Sequence, residues 1–125
     1  MKVRWSHDPE PHDYPAAISF LSLITDPAQA RSLAEGLAEQ PIVFHKAKDV
    51  LRAARLPLLP LDDPYVAKDL KRVRKGKALS PVLLIRGALG GTPLLIADGY
   101  HRVCASYHVS EDTDVSAQIV TAERN

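Results

Sequence analysis

Asp98, Gly99, Tyr100, His101 and Arg102 follow directly on the apolar run Pro93–Ala97, and a helical pattern begins immediately after them. A carboxylate, a glycine, an imidazole and a guanidinium at a strand-to-helix turn form a set suited to holding an anion. The unpaired N–H groups of a helix N-terminus and the helix dipole favour negative charge. Glycine lets a ligand oxygen approach the backbone with no Cβ in the way. Arg102 offers a planar fork that matches a phosphate, and His101 adds a donor whose charge can change near pH 7. Asp98, placed here at the helix N-cap, can cap the helix, orient His101 or Arg102, or hold Mg²⁺ beside a phosphate. It is the one acid of the cluster placed to act as a catalytic base or metal ligand. Ser80, beside Pro81 at the entry to the preceding strand, is a further candidate phosphate contact. The plain alternative is an Asp-Gly turn with an exposed first helical turn. Two basic residues at a helix N-terminus oppose the dipole, however, and call for a compensating negative charge.

The elements that must carry this turn are legible from pattern. "SPVLLIRG" and "TPLLIADG", joined by "GALGG", predict an antiparallel hairpin. The loop glycines lack a following Gly-Lys-Ser/Thr and helix, so they make a turn and not a phosphate loop. A helix is expected from near Gly99 to about His108, and "DVSAQIVTA" as a closing strand. Upstream, Asp63 and Pro64 start a helix over 64–77 with Val66, Leu70 and Val73 inward and Gly76 at its end. Its other face carries Lys68, Lys71, Arg72, Arg74 and Lys75. A short strand over Ile42–Phe44 and a helix over Ala47–Ala54 precede it. Residues 16–24 are dense in apolar side chains, as in a buried helix, and Asp26-Pro27 caps a second helix. Residues 1–13 read as an irregular entry segment. The spacing of His7, Asp8, Glu10, His12 and Asp13 fits no metal-ligand set.

The chain of 125 residues is long enough for one core, and the expected fold is a mixed α+β domain: a small mixed sheet with flanking helices. Residues 1–45 form an N-terminal helical extension and 46–125 the core. The overall charge of +1 conceals a segregation: −3 over 1–45, +7 over 46–109 and −3 over 110–125. A basic middle can meet an anionic partner, or it can be a solvated helix face. One cysteine, Cys104, excludes an internal disulfide, zinc fingers and CxxC chemistry. No stretch reaches the length of a membrane span and the first residues are no secretory signal, so a cytoplasmic protein is expected.

"IADGYHRVCASYHV" resembles the signature segment of the ParB/sulfiredoxin-like superfamily, in which an apolar strand enters a Gly-x-x-Arg turn and a helix. Gly99, Arg102 and Ala105 match the ParB pattern; Gly99, His101 and Arg102 match that of sulfiredoxins. "LPLLPLDDP", "VAKDLKRVRKGKALSPVLLI" and "DVSAQIV" resemble the superfamily's flanking segments, so the similarity spans about residues 56–120. It implies a nucleotide site with phosphates held at the turn. Tyr100 stands where sulfiredoxins need cysteine and ParB proteins carry glutamate, which argues against peroxiredoxin repair and puts CTP hydrolysis in doubt.

Three functions follow as expectations. The first is a stand-alone nucleotide-binding domain: Gly99, Tyr100 and His101 give backbone contacts, His101, Arg102 and Ser80 side-chain contacts. An NTP with Mg²⁺ is its cofactor, and slow NTP hydrolysis or phosphoryl transfer is open. The second is a DNA- or RNA-binding or nuclease module using helix 64–77, for which only Tyr65 supplies an aromatic ring. The third is a non-enzymatic interaction module using residues 14–39.

Overall fold

The computed structural model describes residues 1–122. Five helices and four strands run in the order α1 (Asp13–Leu21), α2 (Pro27–Ala38), β1 (Val43–Lys46), α3 (Ala47–Ala54), α4 (Pro64–Arg74), β2 (Val82–Arg86), β3 (Leu95–Asp98), α5 (Tyr100–Val109) and β4 (Asp114–Thr121). The expected mixed α+β class is what the chain adopts.

Local chemistry explains where the helices start. Asp26 Oδ1 accepts from the Gln29 N–H at 2.9 Å, and Asp63 Oδ1 accepts from the N–H groups of Tyr65 and Val66, both at 3.0 Å. Pro27 and Pro64 follow these caps, where a missing N–H costs nothing. At the other end of α4 the expected span of 64–77 is too long. The helix stops at Arg74, Lys75 caps it, and Gly76 takes φ +72°. The first strand also shifts, from 42–44 to Val43–Lys46.

The sheet order is β1-β4-β2-β3, with β2 and β4 parallel at the centre and antiparallel pairs on both sides. The β2–β3 pair is the hairpin expected from the sequence, with a register shift between Leu83 and Leu84. Helices cover both faces, and β2 explains why. Val82 and Leu84 pack with Val66, Leu70, Val103 and Cys104 of α4 and α5. Leu83 and Ile85 point the other way, into Ala17, Leu21, Ala30 and Leu37 of α1 and α2. A strand buried on both faces must be apolar at every position, which "VLLI" satisfies. The N-terminal helices are therefore the second layer over the sheet: α1 lies on β3 and α2 on β4.

The entry segment is more ordered than its composition suggests. Trp5 bridges Leu79 in parallel and donates its indole N–H to the Asp114 carbonyl at 3.0 Å. Among the described residues, no helix is long and apolar enough to cross a membrane.

Cys104 is fully buried against Leu59, and burial pushes its thiol up from the ordinary value of 9.0. Both effects suppress the thiolate. A thiol reagent should label native protein far more slowly than protein unfolded in urea, with the rate following global unfolding; equal rates would place Cys104 outside the core.

Candidate functional site

Gly99 has φ +110°, a conformation that L side chains rarely adopt. The space where its Cβ would project is already occupied. A Cβ there would lie 2.5 Å from Val82 Cγ1 and 2.8 Å from an Arg102 terminal nitrogen. The glycine thus lets β2 and the arginine, not a ligand, approach the turn.

Gly99, not Asp98, is the N-cap of α5, and the helix has no side-chain cap. The reason is register. Asp98 is still the last residue of β3, paired with Leu83, so its carboxylate stands one residue too early to reach the N–H groups of the first turn. It instead accepts from Arg102 at 3.0 Å. The same guanidinium nitrogen lies 3.4 Å from the Pro81 carbonyl and 4.0 Å from Asp13 Oδ2. Arg102 is 17% exposed, so it does not face an open cleft, and its Nε is buried without a partner among the described residues.

Asp13, at the start of α1, is 2% exposed. Its Oδ2 accepts from the Ser80 hydroxyl and from the Glu10 N–H at 3.0 Å, and that N–H also reaches Ser80 Oγ at 3.1 Å. Ser80 is thereby turned to Asp13. Burial raises the pKa of the Asp98 carboxyl above its ordinary 3.8; Arg102 opposes that shift and the Asp13 carboxyl adds to it. In the sequence Asp13 closes what reads as an irregular entry segment. The one signal pointing the other way was its position at the head of the apolar run that becomes α1.

His101 belongs to a different neighbourhood. Its ring centroid is 4.9 Å from that of Tyr65 and 5.8 Å from that of Tyr100. Tyr65 is 63% exposed, while the Tyr100 hydroxyl donates to the Pro57 carbonyl. The starts of α4 and α5 thus meet at a cluster of three rings, where the sequence suggested Tyr65 alone. Asp69, one turn along α4 from Tyr65, is half-buried beside this cluster. Burial raises its pKa from 3.8, against the opposing charges of Arg102, His101, Arg72 and Lys68.

The turn of Gly99–Arg102 therefore divides. Arg102, Asp98 and Ser80 belong to an inner network with Asp13; Tyr100 and His101 belong to an outer aromatic corner flanked by Lys68 and Arg72. Among the described residues no group of three or more His, Cys, Asp or Glu side chains is arranged to hold a metal ion. A cavity of about 370 Å³ between α3 and the β2–β3 loop is lined by none of these residues.

Removing Arg102 leaves the Asp13 and Asp98 carboxyls close together in a poorly hydrated place. Breaking a buried pair by deleting one partner costs about 3 kcal/mol or somewhat more. Arg102→Ala should therefore lower the unfolding free energy by that amount, read as a lower urea midpoint, and Arg102→Lys should recover less than half because the fork is lost. An unchanged midpoint would show that the network contributes nothing to the fold.

Asp69 gives a pH signature. Its folded-state pKa is raised, so the protonated form is favoured in the fold, and that stabilising term is lost as pH rises from near 3.8 through the raised value. Asp69→Asn keeps the shape without the ionisation. The variant should match the wild type in stability at pH 3 and exceed it at pH 7, read by denaturant unfolding at both values. The opposite sign would mean that the ionised carboxylate is a net stabilising partner of Arg102 and His101.

No family model, no curated protein and no solved structure matches the chain.

Proposed function

We propose that the corner shared by the first turns of α4 and α5 binds a nucleotide, in keeping with the resemblance of the Gly99–Arg102 segment to the ParB/sulfiredoxin-like superfamily. The observation that carries this reading is the Tyr65–His101 ring pair, 4.9 Å apart and open to solvent on the Tyr65 side, at the head of an α5 that has no side-chain cap. A base stacks on the rings, since every nucleobase has a π-face. The phosphates are directed to the N–H groups of the first turn of α5, with Lys68 and Arg72 alongside. Asp69, half-buried beside the corner and not engaged in capping as Asp63 is, is the carboxylate assigned to Mg²⁺ accompanying the phosphates. Arg102 supports the site by holding the turn; it reaches a phosphate only by releasing Asp98. The proposal is one of binding. Hydrolysis would need a base, and Asp98 is committed to Arg102.

A second reading, a single-stranded polynucleotide, is favoured by one further observation. The exposed cations Lys68, Lys71, Arg74 and Lys75 extend the corner along α4. A strand stacked on Tyr65 could run its phosphates along them.

Titration with the four nucleoside triphosphates, with and without Mg²⁺, tests both. At least one nucleotide should raise Tm. Stacking on an aromatic side chain is worth about 1–3 kcal/mol per base, so Tyr65→Ala should weaken binding about tenfold or more. Neutralising Lys71 and Arg74 should leave mononucleotide affinity nearly unchanged while weakening an oligonucleotide and flattening its salt dependence. If no nucleotide shifts Tm and Tyr65→Ala changes nothing, the nucleotide reading is lost; oligonucleotide binding alone would leave the second.

A further inference from the structure

The cavity of about 370 Å³ lies at the opposite end of the sheet from the aromatic corner, beside the carboxyl ends of the parallel strands β2 and β4. Its floor is apolar: Val50 of α3, Leu84 of β2, Leu94 before β3 and Ile119 of β4. Its volume is within the range of small-molecule sites, and such sites combine an apolar body with a few polar groups at the rim. In sheets with parallel strands, ligands are commonly bound outside the carboxyl ends of those strands.

The rim is predominantly cationic. Arg55 and Arg86 both border the cavity, and neither makes an ion pair among the described residues. The one rim carboxylate, Asp49, is paired with Arg52 at 3.2 Å. Arg86 is steadied from behind, because its Nε donates to Thr121 Oγ1 at 3.2 Å. That bond leaves its two terminal nitrogens to present to a ligand.

Arg55 is the more telling residue. It closes α3 in the left-handed conformation, φ 55°, the one described non-glycine residue with positive φ. Leu56 N–H returns to the Leu51 carbonyl at 3.2 Å, the helix-ending motif in which glycine is ordinarily found. An L residue there costs stability that glycine would not. Gly76 and Gly99 show that this chain uses glycine where its backbone needs positive φ. At position 55 it carries a cation at the mouth of an apolar cavity.

We propose that this cavity is a second, separate binding site, for a small amphiphilic anion with an apolar body against Val50, Leu84 and Ile119 and a carboxylate between Arg55 and Arg86. The two guanidinium groups give charge-assisted hydrogen bonds to the head group, and the apolar floor excludes polar anions of the same charge. This site is independent of the aromatic corner and of any nucleotide.

Octanoate is the probe, titrated into the whole chain by calorimetry and by amide chemical shifts, with 1-octanol and acetate as controls. Octanoate should bind at least about tenfold more tightly than either control, because each lacks one of the two features. The largest shifts should fall on Leu94, Ile119 and residues 50–55, with Tyr65 and His101 unmoved. Arg86→Gln should weaken octanoate about tenfold. Arg55→Gly should weaken it comparably and raise Tm, since it removes the backbone cost. No octanoate binding, equal binding of octanoate and octanol, shifts centred elsewhere, or an octanoate affinity untouched by both substitutions would each overturn the proposal. A lower Tm for Arg55→Gly with unchanged affinity would show that Arg55 is kept for the C-terminus of α3 alone.

Discussion

The Arg102 guanidinium joins four elements of the fold: its own helix α5, the end of β3 through Asp98 just before it, and, from further off in the sequence, the entry to β2 through the Pro81 carbonyl and the head of α1 through Asp13. Two carboxyls converge on one cation in a place with little water, so neither sign of charge can be removed alone without leaving the other uncompensated. Gly99 is a condition of this arrangement. Any Cβ at that position would strike Val82 and the guanidinium itself, and the backbone is in a conformation that other residues resist. The relation between the two helical layers and the sheet depends on this node, because α1 lies on one face and α5 on the other.

A sheet sandwiched in this way has few places to present chemistry. Its faces are covered, and β2 is buried on both sides. What stays accessible lies at its ends. At one end, α4 and α5 begin side by side, bringing Tyr65, Tyr100 and His101 together with the basic flank of α4 and the half-buried Asp69. At the other end, the carboxyl ends of β2 and β4, the end of α3 and the glycine-containing β2–β3 loop enclose a cavity with an apolar floor. The segregation of charge along the chain has a spatial counterpart, since cations from the basic middle of the sequence stand at both ends.

The two ends differ in how they would recognise a ligand. The aromatic corner offers flat rings and helix N–H groups, which suit a base and phosphates and depend little on exclusion of water. The cavity offers a shaped apolar volume and two arginines, which suit one anionic group on an apolar body. The inner network of Asp13, Ser80, Asp98 and Arg102 has another part: its donors and acceptors are turned mostly on one another, so it fixes the turn from which the corner is built.

Much of the secondary structure could be read from short-range rules. Asp26-Pro27 and Asp63-Pro64 mark helix starts because cap hydrogen bonds reach only two or three residues. The apolar runs of β2 and β3 mark strands buried in a core. The span Ala47–Ala54 and the closing strand were legible for the same reason. The turn at Asp98–Arg102 was visible as a cluster of polar and charged side chains, but the partner of each was not. Asp98 looked like a cap because Asp is common at caps; pairing of β3 with β2 moved the cap to Gly99 and gave the carboxylate to Arg102. Asp13 is 85 residues from Asp98 in the sequence, and only the layering of α1 on β3 brings the two together. The three-ring corner required the packing of α4 beside α5, and the cavity required a helix end, a loop and two strand ends to converge. Periodicity and capping act within a few residues and so belong to the sequence; charge pairing, ring contacts and enclosed volume arise between distant segments, and only tertiary structure decides them.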